Sequence, residues 1–158
     1  MKKIVDRLID LGKTISTMES CTGGGVADAI TNIPNASKVF KFSAITYSNE
    51  FKIKMGVDAC LIEKYTVYSI EVAKDMSKKI TLFANSDYGV GITGKLKKAD
   101  EDNPYGNDDL VYVSIYDKKN DIYRTASVVV TKDTREENKK MIIKVVESLI
   151  ECLLFDIH

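Results

Sequence analysis

The stretch T-M-E-S-C-T-G-G-G at residues 17–25 joins an apolar, strand-like segment to a helix-like segment through a polar and then glycine-rich corner. At such a corner, the free backbone N–H groups that open a helix and the positive end of its dipole favour developing negative charge or a bound anion. Ser20, Cys21 and Thr22 place two hydroxyl groups and a thiol there. Because Ser and Thr also cap helices, a purely structural role explains the same pattern.

The composition is that of one globular domain spanning residues 1–158, a length that buries a substantial core. The 23 basic and 23 acidic side chains cancel, which argues against a dedicated nucleic-acid surface. No apolar run is long enough for a membrane span, and the amphipathic start does not resemble a signal peptide. Three widely spaced cysteines form no disulfide framework, so we expect a cytoplasmic protein. Assembly into a homo-oligomer stays open.

Hydrophobic periodicity predicts an α/β domain. A helix over 4–11 should end at Gly12, and a long helix should begin after Ser69 and bury Val72, Met76, Ile80 and Phe83. A helix that begins after Ser20 is predicted to continue over 26–31 and to be closed by Pro34. Further helices are predicted over 50–55 and 134–154. Strands are predicted over 13–18, 41–46, 88–93, 110–116 and 123–130, and the last two form an antiparallel hairpin. Alternating helices and strands with one hairpin indicate a layered α/β domain with a mixed sheet.

The residue inventory narrows the chemistry. The single histidine, His158, is the last residue, which argues against Ser-His-Asp or Cys-His catalysis. Scarce histidine and scattered cysteines argue against a zinc site. For the acidic residues within 100–109, two alternatives stay open: a magnesium site formed by carboxylates, or a loop that is simply solvated. If Ser20 is a nucleophile, its base must be another residue type. A desolvated lysine is the known substitute, because burial lowers the pKa of a lysine.

The stretch I-T-Y-S-N-E-F-K at residues 45–52 supplies a candidate base. Tyr47 and Lys52 flank a strand exit and the first turns of a helix, where a phenol and an amine can exchange a proton. The alternatives are an edge-strand tyrosine and a solvated lysine. Cys21 competes with Ser20 as nucleophile, but neighbours in an extended segment point to opposite sides. One of them should therefore face the site and the other the core.

These motifs together resemble the C-terminal domain family of the competence-damage protein CinA, the nicotinamide mononucleotide deamidases. The matching stretches are T-M-E-S-C-T-G-G-G at 17–25, P-N-A-S-K-V-F at 34–40, I-T-Y-S-N-E-F-K at 45–52 and Y-S-I-E-V-A-K-D-M at 68–76. G-V-G-I-T-G at 89–94 matches in its first half, and D-T-R-E-E-N-K at 133–139 matches the family's Asp-Arg helix start. The resemblance covers nearly the whole chain.

The resemblance implies a three-layer α/β/α sandwich that hydrolyses the carboxamide of nicotinamide mononucleotide to nicotinic acid mononucleotide and ammonia. No cofactor, metal or membrane is implied, and the only partner is the nucleotide substrate. By position, Ser20 would be the nucleophile, Lys52 the general base and then acid, and Tyr47 the residue that relays or orients the proton. The substrate contacts would come from the Thr22, Gly23 and Gly24 amides, from Thr93 and Gly94, and, in a supporting role, from Arg135.

Two positions depart from the family pattern. Asn35 stands where the family has glycine, and Asn tolerates a left-handed turn better than most residues. The family continues T-G-x-A-G-P after the third strand, whereas Thr93 and Gly94 here run into K-L-K-K at 95–98. We expect the loop over 95–109 to be mobile and to weaken substrate binding more than the chemistry. The alternative function is a catalytically weakened member of this fold that binds a nucleotide or a protein.

Overall fold

The structure is a computed structural model that describes residues 1–98 and 101–155. Within these ranges the strands form one five-stranded sheet in the order β2-β1-β3-β4-β5. Strand β1 lies between β2 and β3 and is parallel to both. The pairs β3–β4 and β4–β5 are antiparallel, so the predicted mixed sheet is confirmed. The strands are β1 (Ile15–Glu19), β2 (Phe40–Ile45), β3 (Tyr88–Gly94), β4 (Leu110–Asp117) and β5 (Ile122–Val129).

Helices cover both faces of this sheet. They are α1 (Lys2–Leu11), α2 (Gly25–Thr31), α3 (Asn49–Lys54), α4 (Ala59–Tyr65), α5 (Ile70–Ala84) and α6 (Arg135–Leu154). One core joins α1, α2 and α6 to the sheet, and a second core places Met18 of β1 against α5. Burial on both faces explains why every residue of β1 is buried. The three-layer α/β/α sandwich is therefore confirmed.

Most predicted helix ends are confirmed by their caps. Gly12 ends α1 in the left-handed conformation, and the Ser69 hydroxyl accepts a hydrogen bond from the Val72 N–H at the start of α5. Asn35 adopts a φ of 66°, the left-handed turn position expected of it. Helix α2 begins at Gly25 and not directly after Ser20, and the periodicity did not predict α4.

The prediction that Phe83 lies on the buried face of α5 is wrong. Phe83 is 63% exposed and packs against Phe42 at the sheet edge, with ring centroids 5.2 Å apart. Buried instead is Thr81, whose Oγ1 would lie 1.9 Å from a Cβ added to Gly89. Because Gly89 of β3 has no side chain, the Thr81 side chain can pack directly against the strand backbone. Thr81 faces the sheet, and Phe83, two residues further along the helix, points away from the core.

The corner between β1 and α2 is built on a buried carboxylate. Gly24 precedes α2 and has no side chain that could cap the helix. The Glu19 carboxylate caps it instead: its two oxygens accept hydrogen bonds from the Val26 N–H at 3.0 Å and the Ala27 N–H at 2.9 Å. The Thr22 hydroxyl donates to the same carboxylate at 2.7 Å. The last residue of β1 is thus tied to the first turn of α2, and Ser20 lies between them.

We predict that Glu19→Gln destabilises the fold by at least about 2 kcal/mol, because an amide turns donor hydrogens toward groups that need an acceptor and removes charge-assisted bonds. Urea unfolding should show this as a lower midpoint. The matched control is Glu136→Gln, an exposed carboxylate paired with Lys140, which should change stability by less than roughly 0.5 kcal/mol. Equal stability of the two variants would contradict the role of Glu19.

Candidate active site

The candidate site lies at one edge of the sheet, where the parallel strands end. Glu19 pairs in register with Ile45 and with Ile92, so β1, β2 and β3 end side by side. Strand β5 runs in the same direction as β3, and α6 therefore begins near this edge. Ligands of open α/β sheets bind at the carboxyl ends of the strands, and each candidate residue follows one of these strands or begins the next helix.

Ser20 and Lys52 meet in the interior of this edge. Helix α3 begins one turn after β2, with the Ser48 hydroxyl as its cap, and directs Lys52 back toward β1. The Lys52 Nζ donates to Ser20 Oγ at 3.1 Å and to the Thr46 carbonyl at 2.8 Å. Lys52 is 2% exposed and Ser20 is 6% exposed, so the solvated-lysine alternative is excluded. A hydroxyl and an amine in direct contact, both shielded from water, can exchange a proton.

The glycine-rich turn offers fewer free amides than expected. The Gly23 N–H donates to the Ser20 carbonyl at 2.9 Å, so the expectation that this amide faces a ligand is wrong. Gly23 instead supplies the left-handed turn, with a φ of 61°. Within the described ranges, no hydrogen-bond acceptor faces the N–H groups of Thr22 and Gly24. These two amides remain available next to Ser20.

Tyr47 lies further out than the other two catalytic candidates. Its ring is 64% exposed, and its hydroxyl accepts a hydrogen bond from Arg135 at 3.1 Å. The structure thus pairs Tyr47 with Arg135 and Ser20 with Lys52. Ser20, Tyr47 and Arg135 line the same open pocket, and the buried Lys52 contacts Ser20.

That pocket has a volume of about 940 Å³. Its lining includes Ser20, Cys21, Tyr47, Tyr68, Gly94 and Arg135, together with residues of the loop after β3. Thr93 is fully buried, and its hydroxyl donates to the Val67 carbonyl at 2.9 Å. Thr93 thus anchors the strand end, and it is not among the residues that line this pocket, whereas Gly94 is. The pocket is large enough for a mononucleotide, since pockets of 300–1,000 Å³ commonly hold ligands of roughly that size.

The loop after β3 forms part of the pocket wall, and its first residues are firmly packed. Lys95 and Leu96 are 4% and 2% exposed, so both are buried. The mobility expected for the loop over 95–109 stays a prediction. Lys97 adopts a φ of 65°, the left-handed conformation that the family's glycine at this position would take without strain. Its Nζ contacts the carbonyls of Thr131 and Lys132 at 3.4 and 3.2 Å, just before α6. The charged loop is thereby tied to the segment that carries Arg135.

Cys21 takes the side opposite to Ser20 and packs into the core formed with α1, α2 and α6. It is 4% exposed and is also one of the residues that line the pocket. Burial raises the pKa of the Cys21 thiol to about 12, although Lys52 and Arg135 oppose the shift. A neutral thiol is a poor nucleophile, so the site favours Ser20.

Sequence reasoning missed several residues around the site. One of them is Glu19, to which the motif over 17–25 assigned no role. Its position next to Ser20 and just before a helix start could have indicated a helix-capping carboxylate. Lys139 lies with its Nζ 3.3 Å from a Cβ added to Gly23, one helical turn after Arg135 on the same face of α6. Asn49 donates to Asn103 at 2.9 Å across the pocket rim. No local sequence pattern could predict the Asn49–Asn103 contact, because 54 residues separate its partners.

Two negative findings concern residues 1–98 and 101–155. In these ranges no group of three or more His, Cys, Asp or Glu side chains could hold a metal ion. No helix there has the length and apolar composition that a membrane span requires. The prediction about His158 lies outside the described residues.

Comparison with known sequences identifies the class of protein that this fold and site define. The model of the CinA C-terminal domain matches residues 1–153. The chain therefore belongs to the CinA C-terminal domain family, as the motifs indicated. A protein from Clostridium kluyveri described as competence-damage inducible is 42% identical over 120 residues, which cover 75% of this chain and 29% of that protein. A CinA-like protein from Endomicrobium trichonymphae is 40% identical over 115 residues, 71% of this chain and 26% of its own length.

The chain thus spans less than a third of these curated relatives. Solved structures of similar length share its fold. A CinA superfamily protein from Klebsiella pneumoniae superposes with a TM-score of 0.85 at 24% identity, covering 96% of this chain and 94% of that one. The competence/damage inducible protein CihA from Agrobacterium tumefaciens gives a TM-score of 0.80 at 25% identity, with coverage of 97% and 93%.

We predict that Cys21 resists alkylation in the folded protein. Because its pKa is raised to about 12, the thiolate is scarce at any pH below that value, and burial blocks the reagent. Cys60 is exposed, and its pKa is raised chiefly by the charge of Asp58, so its labelling should increase as the pH rises. Peptide mass spectrometry after iodoacetamide treatment, with and without urea, separates the two. Labelling of native Cys21 as fast as that of Cys60 would contradict the assignment.

Proposed function

We propose that this protein is an amidohydrolase that converts nicotinamide mononucleotide to nicotinic acid mononucleotide and ammonia. The observation that carries the proposal is the buried contact of Lys52 Nζ with Ser20 Oγ at 3.1 Å, at the base of an open pocket. Family membership and the nucleotide-sized pocket support the substrate class. A serine activated by lysine needs no histidine, metal or cofactor.

In the first half-reaction, Ser20 Oγ attacks the carboxamide carbon while Lys52, in its neutral form, accepts the hydroxyl proton. The resulting tetrahedral oxyanion needs preorganised donors, and the free N–H groups of Thr22 and Gly24 are the candidates at this corner. Collapse of the intermediate breaks the C–N bond. Lys52 returns the proton to the departing nitrogen, so that ammonia leaves and a Ser20 ester remains.

In the second half-reaction, water attacks the ester carbon and gives up a proton to Lys52. The C–O bond to Ser20 breaks, the proton returns to Ser20 Oγ, and the carboxylic acid product departs and gives its remaining proton to solvent, which leaves the carboxylate. The Thr46 carbonyl, which accepts a hydrogen bond from Lys52 at 2.8 Å, keeps the amine directed at Ser20 through both steps. One lysine thus serves as base and acid in turn.

Arg135 and Tyr47 are proposed to meet the substrate at the pocket's outer side. The guanidinium offers several donors to a phosphate or carbonyl oxygen. Tyr47 would exchange its bond with Arg135 for one with the Ser20–Lys52 pair once the substrate is bound, and would then orient or relay the proton. Gly94 lines the same pocket, and a Cβ added there would lie 2.5 Å from Val111 Cα.

A specific observation favours the second candidate, a catalytically weakened binder of a nucleotide or a protein. The Tyr47 hydroxyl is bonded to Arg135, and the loop after β3 differs in chemistry from the family turn. Measuring ammonia release from nicotinamide mononucleotide by the purified protein decides between the two. Binding without ammonia release would establish the weakened binder.

We predict that Ser20→Ala abolishes ammonia release while circular dichroism stays unchanged, and that Cys21→Ala keeps most of the activity. Loss of the nucleophile removes the ester intermediate, whereas the Cys21 thiol takes no part. Ammonia is measured by a coupled assay under saturating nucleotide. Substantial turnover by Ser20→Ala would remove Ser20 from the nucleophile role.

Replacement of the base should be equally informative. Lys52→Arg should lower kcat by roughly 10²–10⁴-fold, nearly as much as Lys52→Ala, because a guanidinium stays protonated and cannot accept a proton. Lys54→Arg, an exposed position on the same helix, is the matched control and should keep the normal rate. The unmodified enzyme should also become faster as pH rises, since the neutral amine is the active form. A fast Lys52→Arg enzyme would show that another group is the base.

A further inference from the structure

Lys95 is a buried cation in the wall of the pocket. The side chain is 2% exposed, and it stands immediately after Gly94 at the end of β3. Its backbone is fixed as well, because the Lys95 N–H donates to the Leu110 carbonyl at 3.0 Å. Burying an ammonium group is costly unless its charge and its donors are satisfied.

The surroundings satisfy this ammonium only in part. Its Nζ lies 3.0 Å from Asp108 Oδ1 and 5.0 Å from the centroid of the Tyr68 ring. Asp108 is 53% exposed, so the pair joins a buried cation to a carboxylate that faces water. An ammonium carries three N–H donors, and these two contacts leave donor capacity for a ligand oxygen.

Lys95, Tyr68 and Ser20 line the same pocket. Lys95 stands at the variable position of the family pattern T-G-x-A-G-P. The charge at this position is therefore a feature of this chain and not of the pattern. The described lining also includes the cations Lys98 and Arg135. The carboxylates Glu101 and Asp102 complete the charged part of that lining.

We propose that Lys95 is a specificity-determining residue that donates a hydrogen bond to an oxygen in the sugar–phosphate part of the substrate, away from the scissile carboxamide. This rests on the proposed function for the identity of the substrate. Asp108 and the Tyr68 ring hold the ammonium in place, so that little rotamer entropy is lost when the ligand binds. The acceptor is a phosphate oxygen or a ribose hydroxyl, and both present the same chemistry to the lysine.

The experiment compares the affinity of three probes for the full chain carrying Ser20→Ala, which cannot consume them. The probes are nicotinamide mononucleotide, nicotinamide riboside and nicotinamide, titrated by ligand-observed NMR. Adding Lys95→Met should weaken the mononucleotide by about tenfold or more and leave nicotinamide unchanged, because a charge-assisted hydrogen bond is lost. Loss for the mononucleotide alone identifies the phosphate, and loss for the riboside as well identifies the sugar.

Two control variants separate ligand recognition from loop stability. Asp108→Asn removes the ion pair but keeps the Lys95 cation and an oxygen that can accept its hydrogen bond, so it should weaken mononucleotide binding far less than Lys95→Met does. A purely structural pair would make both variants equally weak. Lys98→Met removes an exposed charge from the same rim and should cost less than about threefold, since solvent and salt screen it. Thermal unfolding of each variant confirms that the protein titrated is folded.

The inference is overturned if Lys95→Met weakens all three probes equally, if it weakens none, or if the protein with Lys95 intact binds none of them. The proposed function is judged separately, by ammonia release from the unmodified chain. Binding that depends on Lys95 without ammonia release would support this inference and contradict the amidase. Ammonia release with an unchanged KM in Lys95→Met would support the amidase and overturn this inference.

Discussion

The Glu19 carboxylate is the constraint on which the candidate site depends. It is fully buried, and its oxygens hold the N–H groups of Val26 and Ala27 and the Thr22 hydroxyl. A buried carboxylate is tolerated only when its acceptors are filled, so the strand end and the helix start must keep this arrangement. Ser20 lies within the turn that the carboxylate closes. Its hydroxyl is therefore presented at the sheet edge by a rigid corner, as a nucleophile requires.

The second requirement is a buried amine beside that hydroxyl. Lys52 reaches Ser20 because α3 begins directly after β2, the strand that borders β1 on its open side. The Thr46 carbonyl and Ser20 Oγ give the amine two polar contacts in the interior. Removing water strengthens each of these interactions and keeps the proton within the pair. The pairing thus follows from strand order, and the same lysine on another strand connection would be an ordinary surface residue.

The loop after β3 shows how a chain can change its chemistry while keeping a backbone path. Lys97 accepts the left-handed conformation of a glycine at a cost of about 1–2 kcal/mol, and its contacts with the Thr131 and Lys132 carbonyls offset part of it. Its neighbour Lys95 uses the family's variable position to bring a charge into the pocket wall. The frame of the site is therefore maintained, and the difference from the family lies in what the pocket presents to a ligand.

The sequence by itself determined the layered α/β fold, the family and the corner at Ser20, because periodicity, turn residues and short motifs are local properties. It also singled out Lys52, although not the contact that makes the residue useful. Only the tertiary structure decided that the Gly23 amide is occupied, that Tyr47 pairs with Arg135, and that Lys95 is buried against Asp108. Each of these depends on which residues from distant segments share one sheet edge. Local sequence patterns do not predict which distant segments lie close together, because strand order and packing determine it.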